Sequence, residues 1–313
     1  MFNASLVKNY SERKKALFAL AVLCVLWGTT WVAAKEGVRH MPPLQLVSIR
    51  QTLAGLLFTS YFIFKGMPWP KAREWRPILI LGTLNILIPN GLTTWGVKYI
   101  SAGLAAILAA TFPLWMVVIG MFSSKENTPG KAIQGFLLGF LGICLIFYEH
   151  LLDFLNPDFL FGIIISLIGA WSWAFGTIYT KQNAKVFNPY FSLGLQMLIS
   201  GIVVGIISKS VGMSIPLSEI KWQAWTAILY LALIGSVVSF IAYLYALQRL
   251  PIEQASIYGY INPVITVLLG AALFGEKLTV FIMAGGIVTL YGVYLINHAL
   301  RRSAKQNKKS SLA

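Results

Sequence analysis

The sequence predicts an all-α integral membrane protein with ten transmembrane helices, built as two inverted five-helix repeats. Three observations carry that expectation. The 313 residues are 57% hydrophobic and 11% charged, with a mean hydropathy of +0.73, more apolar surface than a water-soluble core of this length can hide. The segment 101–142 returns at 251–292, with Pro113 answered by Pro263, Gly120 by Gly270, Glu126 by Glu276, Gly135 by Gly285 and Gly142 by Gly292. Among 27 glycines in the chain, a chance Gly-on-Gly match is expected at about one position in 130, so three in one window identify an internal repeat. Finally, Lys and Arg gather on alternate loops between the apolar runs.

Upstream, an offset of 146 aligns Trp27 with Trp173, Lys35 with Lys181, Pro43 with Pro189, Arg50 with Gln196 and Gly55 with Gly201. One insertion between the second and third elements of the repeat accounts for the change of offset. Runs of about 17 to 25 apolar residues read as spanning helices. They fall at 16–34, 44–64, 77–97, 102–122, 131–148, 159–179, 189–209, 224–247, 254–273 and 279–298. Such runs are too long for barrel strands, and backbone groups in lipid must pair within their own segment. The stretch 1–15 is a basic tail, and the run after it exceeds a signal-peptide core, so it is read as the first span. Residues 16–148 form the first repeat, 159–298 the second and 299–313 a second basic tail. The linker 149–158 carries Glu149, Asp153 and Asp158 but no Lys or Arg.

With both termini cytoplasmic, eighteen Lys and Arg lie on the cytoplasmic side and six on the other, the bias expected of a multi-pass membrane protein in that orientation. Trp69 and Trp75 then fall at the inner interface, and Trp222 and Trp225 at the outer one. Five spans per repeat is an odd number, so the second repeat enters from the opposite face. Inverted repeats are the architecture in which two halves expose a central site alternately to each side.

Polar groups inside the spans are few. Trp27, Thr30 and Trp31 on span one and Trp173 on span six sit beside small residues, a pattern that serves close helix packing or a cavity wall. Lys35 and Lys181 close their helices and are read as snorkelling charges. Pro113 and Pro263 interrupt spans four and nine after Thr111 and Asn262, and Pro89 with Asn90 breaks span three. Each proline frees a carbonyl, and breaks at matching places in two halves point to a midplane site, or else simply kink the helices. Arg50 is the one charge well inside a span. It costs about 2.5 to 3.5 kcal/mol at a helix centre and so faces protein or water, unless it reaches the interface two turns away. All ten acidic residues and three histidines lie outside spans or at their ends. Proton coupling through an intramembrane acid is therefore not expected, and facilitated or exchange transport stands at least level with it.

Spans five and ten, with Gly135, Gly139 and Gly142 and with Gly285, Gly286 and Gly292, read as packing helices, with a homodimer through them as a second use. Cys24 and Cys144 fall in apolar runs and form no disulfide framework. No serine-histidine-acid set, phosphate loop or metal-ligand spacing is readable, so neither cofactor nor metal is expected. The net charge of +15 sits at chain ends and in loops, which excludes a nucleic-acid surface.

Trp27-Gly28-Thr29-Thr30, Pro42-Pro43 followed by Arg50, Trp173-Ala174-Phe175-Gly176, and Tyr258-Gly259-Tyr260-Ile261-Asn262-Pro263 leading to Gly270 and Gly275-Glu276 resemble the tandem EamA domains of the drug/metabolite transporter superfamily. The resemblance covers 16–298 and implies ten helices, a central cavity and an inner-membrane carrier, often an exporter of amino acids or other metabolites. Gln196 stands where a second arginine would repeat Arg50, so no basic site is carried to span seven. The cavity is expected to be lined by Trp27, Thr30, Trp31, Arg50, Asn90, Trp95, Thr111, Trp173, Gln196, Tyr243, Tyr258 and Asn262. The expected partners are a small amphipathic solute and the lipid bilayer. An intramembrane enzyme would need clustered catalytic groups near one interface, and a receptor a sizeable soluble output domain; neither feature is visible.

Overall fold

The computed structural model describes residues 4–112, 114–115, 118–119, 130–149, 153–183, 188–250 and 258–310. Expectations that involve Pro113, Gly120, Lys125, Glu126, His150, Lys185, Pro251 and Glu253 fall outside these residues.

The described chain is helical. In order it forms α1 (Ala4–His40), α2 (Pro43–Phe64), α3 (Ala72–Leu81), α4 (Ile88–Gly96), α5 (Ala102–Ala109), α6 (Gly130–Glu149), α7 (Pro157–Asn183), α8 (Pro189–Ser210), α9 (Trp222–Tyr230), α10 (Ser239–Arg249), α11 (Tyr258–Phe274) and α12 (Val280–Ser310). Wide π turns over Gly82–Leu87 and Leu231–Val238 join α3 to α4 and α9 to α10, so each of these pairs continues as one long rod. Eight helices among the described residues are long and apolar enough to cross a membrane. The other two expected spans, 102–122 and 254–273, fall partly outside the described residues; the first opens with the eight-residue α5 and the described part of the second is the 17-residue α11. α5 ends early because Thr111 takes an i−3 bond to Leu108 O (3.1 Å) and turns its own hydroxyl onto the same carbonyl (2.6 Å), which tightens the last turn and stops propagation.

Glycine sets which helices touch. α6 packs along α12 and α2 along α8; α1 lies against α10 and α11, while α7 lies against α4 and α5. A methyl group on Gly142 would meet Thr289 N at 2.5 Å and Gly285 O at 2.6 Å, and one on Gly135 would meet Gly292 O at 2.6 Å. The small-residue faces of α6 and α12 are therefore consumed inside the chain, backbone against backbone. At the α2–α8 crossing, a methyl group on Gly201 would lie 2.5 Å from Thr52 N. Both α2 and α8 stop in the same way. Gly66 and Gly212, 146 apart, each adopt φ +69°, and Met67 N and Met213 N reach back to Phe62 O (3.0 Å) and Ser208 O (2.8 Å). These are Schellman ends that need a residue free of the Cβ penalty.

The α4–α5 turn is held from two sides. Lys35 donates to Val97 O and Ile100 O, both at 2.7 Å, so it is a cap and not the snorkelling charge expected from its place in the sequence. Free carbonyls at the end of α4 offer the ammonium a nearer partner than water. Glu276 accepts from Ala102 N (2.8 Å) and Gly103 N (3.3 Å), while Ser101 Oγ accepts from Leu104 N (3.0 Å). The first amides of α5 are thereby satisfied.

Two outcomes follow from this packing. Gly142→Ala lowers stability by about 1–3 kcal/mol because backbone atoms must give way, whereas Gly286→Ala, whose added carbon meets among the described residues only Ile107 Cδ1 at 3.8 Å, leaves the melting temperature in detergent nearly unchanged. Glu276→Gln weakens two charge-assisted bonds and destabilises by about 1–2 kcal/mol, read in the same thermal melt.

Candidate functional site

A cavity of about 180 Å³ opens where α1, α2, α4, α5, α7, α10 and α11 meet. Its walls carry the aromatic rings of Trp27, Trp31, Phe112, Trp173, Phe240 and Tyr258, and its polar groups come from Thr30, Arg50, Asn90, Thr93, Thr94 and Asn262. The structure thus brings together eight of the twelve residues that sequence reasoning proposed for the wall, with Pro89 and Pro263 beside them.

The helix breaks explain how these side chains come to face one another. In the π turn each amide bonds five residues back, as the N–H of Ile88 does to Thr83 O. The next donor would be Pro89, which has none. Leu84 O accepts from Ser172 Oγ instead, at 2.9 Å, and that bond pins α7 to the break. The second rod is treated in parallel fashion, since Trp27 Nε1 donates to Gly235 O within the π turn at 3.2 Å. Trp27 is therefore both a cavity wall and a fastening. Its ring also lies 5.2, 5.4 and 5.0 Å from Phe240, Tyr243 and Tyr258, an aromatic box that closes one side of the cavity.

Pro263 leaves the α11 carbonyl at Gly259 without its i+4 donor, and Gly259 lines the cavity. The Asn262 amide, oriented by its neighbours, donates to Cys24 O (2.9 Å) and Tyr258 O (3.1 Å). Thr266 Oγ1 lies 2.7 Å from Gly28 O, so α11 is tied to α1 on both sides of the proline. Asn90 Nδ2 donates to Ile86 O at 3.0 Å. Arg50 is 7% exposed and donates from Nε to Ser236 Oγ at 3.2 Å. Among the described residues, no acidic side chain lines the cavity.

Four expected wall residues lie elsewhere. Trp95 packs on Phe161 (5.1 Å) and among Leu44, Val47 and Val204, because it lies on the far side of α4 from Asn90. Thr111 is fully buried at the end of α5 with its hydroxyl spent on Leu108 O. Gln196 bonds Ser192 Oγ at 2.8 Å and packs on Gly82, because α8 sits behind α2 and adds nothing to the wall. Tyr243 stands behind Trp27 in the aromatic box. Pro113 is outside the described residues.

Sequence reasoning missed Thr93, Thr94, Gly169, Ala170, Phe112 and Phe240. Helical spacing was the available signal: Thr93 and Thr94 follow Pro89 and Asn90 by one turn, and Gly169 and Ala170 precede Trp173 by one turn.

The family model of the EamA-like transporter family matches residues 14–148 and 160–298. Among curated proteins, the uncharacterized inner membrane transporter YedA of Escherichia coli strain K12 is 32% identical over 290 residues, covering 88% of this chain and 91% of its own. The uncharacterized transporter YoaV of Bacillus subtilis is 24% identical, covering 90% and 96%. A WAT1-related chloroplastic protein of Arabidopsis thaliana is 26% identical, covering 87% and 66%. A solved crystal structure superposes with a TM-score of 0.63 at 16% identity, over 91% of this chain and 97% of that one, a likeness of fold. A match to the family over almost the whole length, on a chain of many apolar helices, shows that this multi-pass membrane protein belongs to the EamA-like transporter family.

Proposed function

We propose that the protein is a secondary carrier that moves a small metabolite, an amino acid or related amphipathic solute, across the inner membrane by alternating access, in the export direction. The observation that carries this reading is the cavity itself. It is lined by aromatic rings and a few polar groups and bounded by helices from both halves of the chain, the form of site that takes a small amphipathic molecule.

The contact pattern supports a ten-span architecture of two inverted repeats, 16–148 and 159–298. Exchange of the halves maps α2–α8 and α6–α12 onto themselves and carries the contacts of α1 with α10 and α11 into those of α7 with α4 and α5. A pseudo-twofold axis has this property, and five spans per half place the axis in the membrane plane. The excess of Lys and Arg at both tails and on alternate loops supports cytoplasmic termini. An enzyme reading lacks support, because among the described residues the titratable groups that line the cavity are Arg50 and Tyr258.

Counterflow into proteoliposomes, scanned over a panel of metabolites, tests the proposal. At least one amphipathic solute is expected to show protein-dependent exchange. Trp173→Ala slows that exchange by about tenfold or more, since an aromatic anchor contributes about 2 kcal/mol. Folded protein that exchanges no member of the panel contradicts the proposal.

A further inference from the structure

Resting on the carrier reading and narrowing it from amino acids to related amphipathic acids, the geometry points to the class of solute: we infer that the cavity takes an organic monoanion, a carboxylate on a flat apolar body, in preference to a zwitterion, an amine or a phosphate ester.

Arg50 carries the argument. A guanidinium has five N–H donors and no acceptor. Here Nε is spent on Ser236 Oγ, and among the described residues neither terminal nitrogen has a protein partner. The side chain is more than nine-tenths buried and lines the cavity. Its unused donors are therefore presented to whatever enters. Two nitrogens side by side, with the inner edge of the group already anchored, fit the two oxygens of a carboxylate end-on.

Charge balance then selects among carboxylates. Burial of an isolated cation within a membrane is costly, and no acidic side chain is among the described residues that line this cavity. A monoanion brings the sum in the occupied site to zero. A zwitterion leaves one positive charge in place, and an amine brings two positive charges together. A phosphate ester carries roughly −1.5 to −2 at neutral pH and would need a second cation, whereas among the described residues that line the cavity Arg50 is the only Lys or Arg. The rest of the wall suits the rest of such a solute: Trp31, Trp173 and Tyr258 supply aromatic surface, and a volume of about 180 Å³ holds one ring with a short side chain.

The test is calorimetric titration of the full-length protein in lipid nanodiscs with four probes that share one phenylpropyl frame: 3-phenylpropanoate, its amide, phenylalanine and 3-phenylpropylamine. The acid is expected to bind at least about tenfold more tightly than the other three. Arg50→Gln is expected to reduce the acid-to-amide ratio by at least about tenfold, and Arg50→Lys to retain a preference for the acid. Thermal melts establish that each variant is folded, and the wild-type series stands alone if one is not. Equal or tighter binding of phenylalanine or the amine, no binding of the acid, or an unchanged ratio in folded Arg50→Gln each overturns the inference. Counterflow separates the two readings. If neutral or zwitterionic solutes exchange and the acid does not, this inference fails while the carrier stands; if nothing exchanges, the carrier reading itself fails.

Discussion

A helix inside a bilayer has no water to satisfy its backbone, so every break must be repaired by the protein. That constraint organises this molecule. The carbonyl that Pro89 cannot serve is met by Ser172; the carbonyl of Gly235 in the second π turn is met by Trp27; the end of α4 is met by Lys35; and the start of α5 is met by Glu276. Each repair joins helices that are distant in sequence. Two of these groups, Pro89 and Trp27, also line the cavity, as expected where only a protein-lined space tolerates irregular backbone at that depth.

The surrounding helices do a different job. α6 and α12 meet glycine to glycine, and α2 and α8 cross at Gly55 and Gly201 with backbones nearly touching. Lipid chains are as apolar as leucine, so apolar contact alone gives little net drive for association, and close van der Waals approach supplies it. The outer faces of α6 and α12 remain apolar and exposed, with Leu137, Phe140, Ile287 and Tyr291 each more than half exposed, as a lipid-facing surface requires. The closely packed pairs thus stand apart from the broken rods, which line the cavity at Pro89, Asn90 and Phe240.

Much of the fold was legible in the sequence because hydropathy and repetition are strong signals. The long apolar runs appear as helices, and the repeat positions Gly55 and Gly201, and Gly142 and Gly292, recur as contact points. The prolines of spans three and nine marked the cavity because a missing N–H is a chemical fact readable at any depth. What could not be read was which side of a helix faces inward. Trp95 is polar-edged and apolar-bodied like Trp173, yet one packs on Phe161 and the other lines the cavity. Gln196 matched Arg50 by repeat position, but α8 is screened by α2, and no local feature of the sequence encodes that screening. Lys35 showed the same difficulty. Its charge suggested solvent, while its partners are carbonyls 62 and 65 residues away.

The carrier reading requires the cavity to communicate with each side of the membrane in turn. Thr93, on the cavity wall and outside the Arg50–Ser236 contact, offers a place to observe this. Thr93→Cys, made in a chain with Cys24 and Cys144 replaced, can be exposed to a membrane-impermeant maleimide in right-side-out and in inverted vesicles. The prediction is labelling from both sides, slowed in both by a solute that the protein exchanges. Labelling from a single side only, or from neither, would contradict alternating access through this cavity.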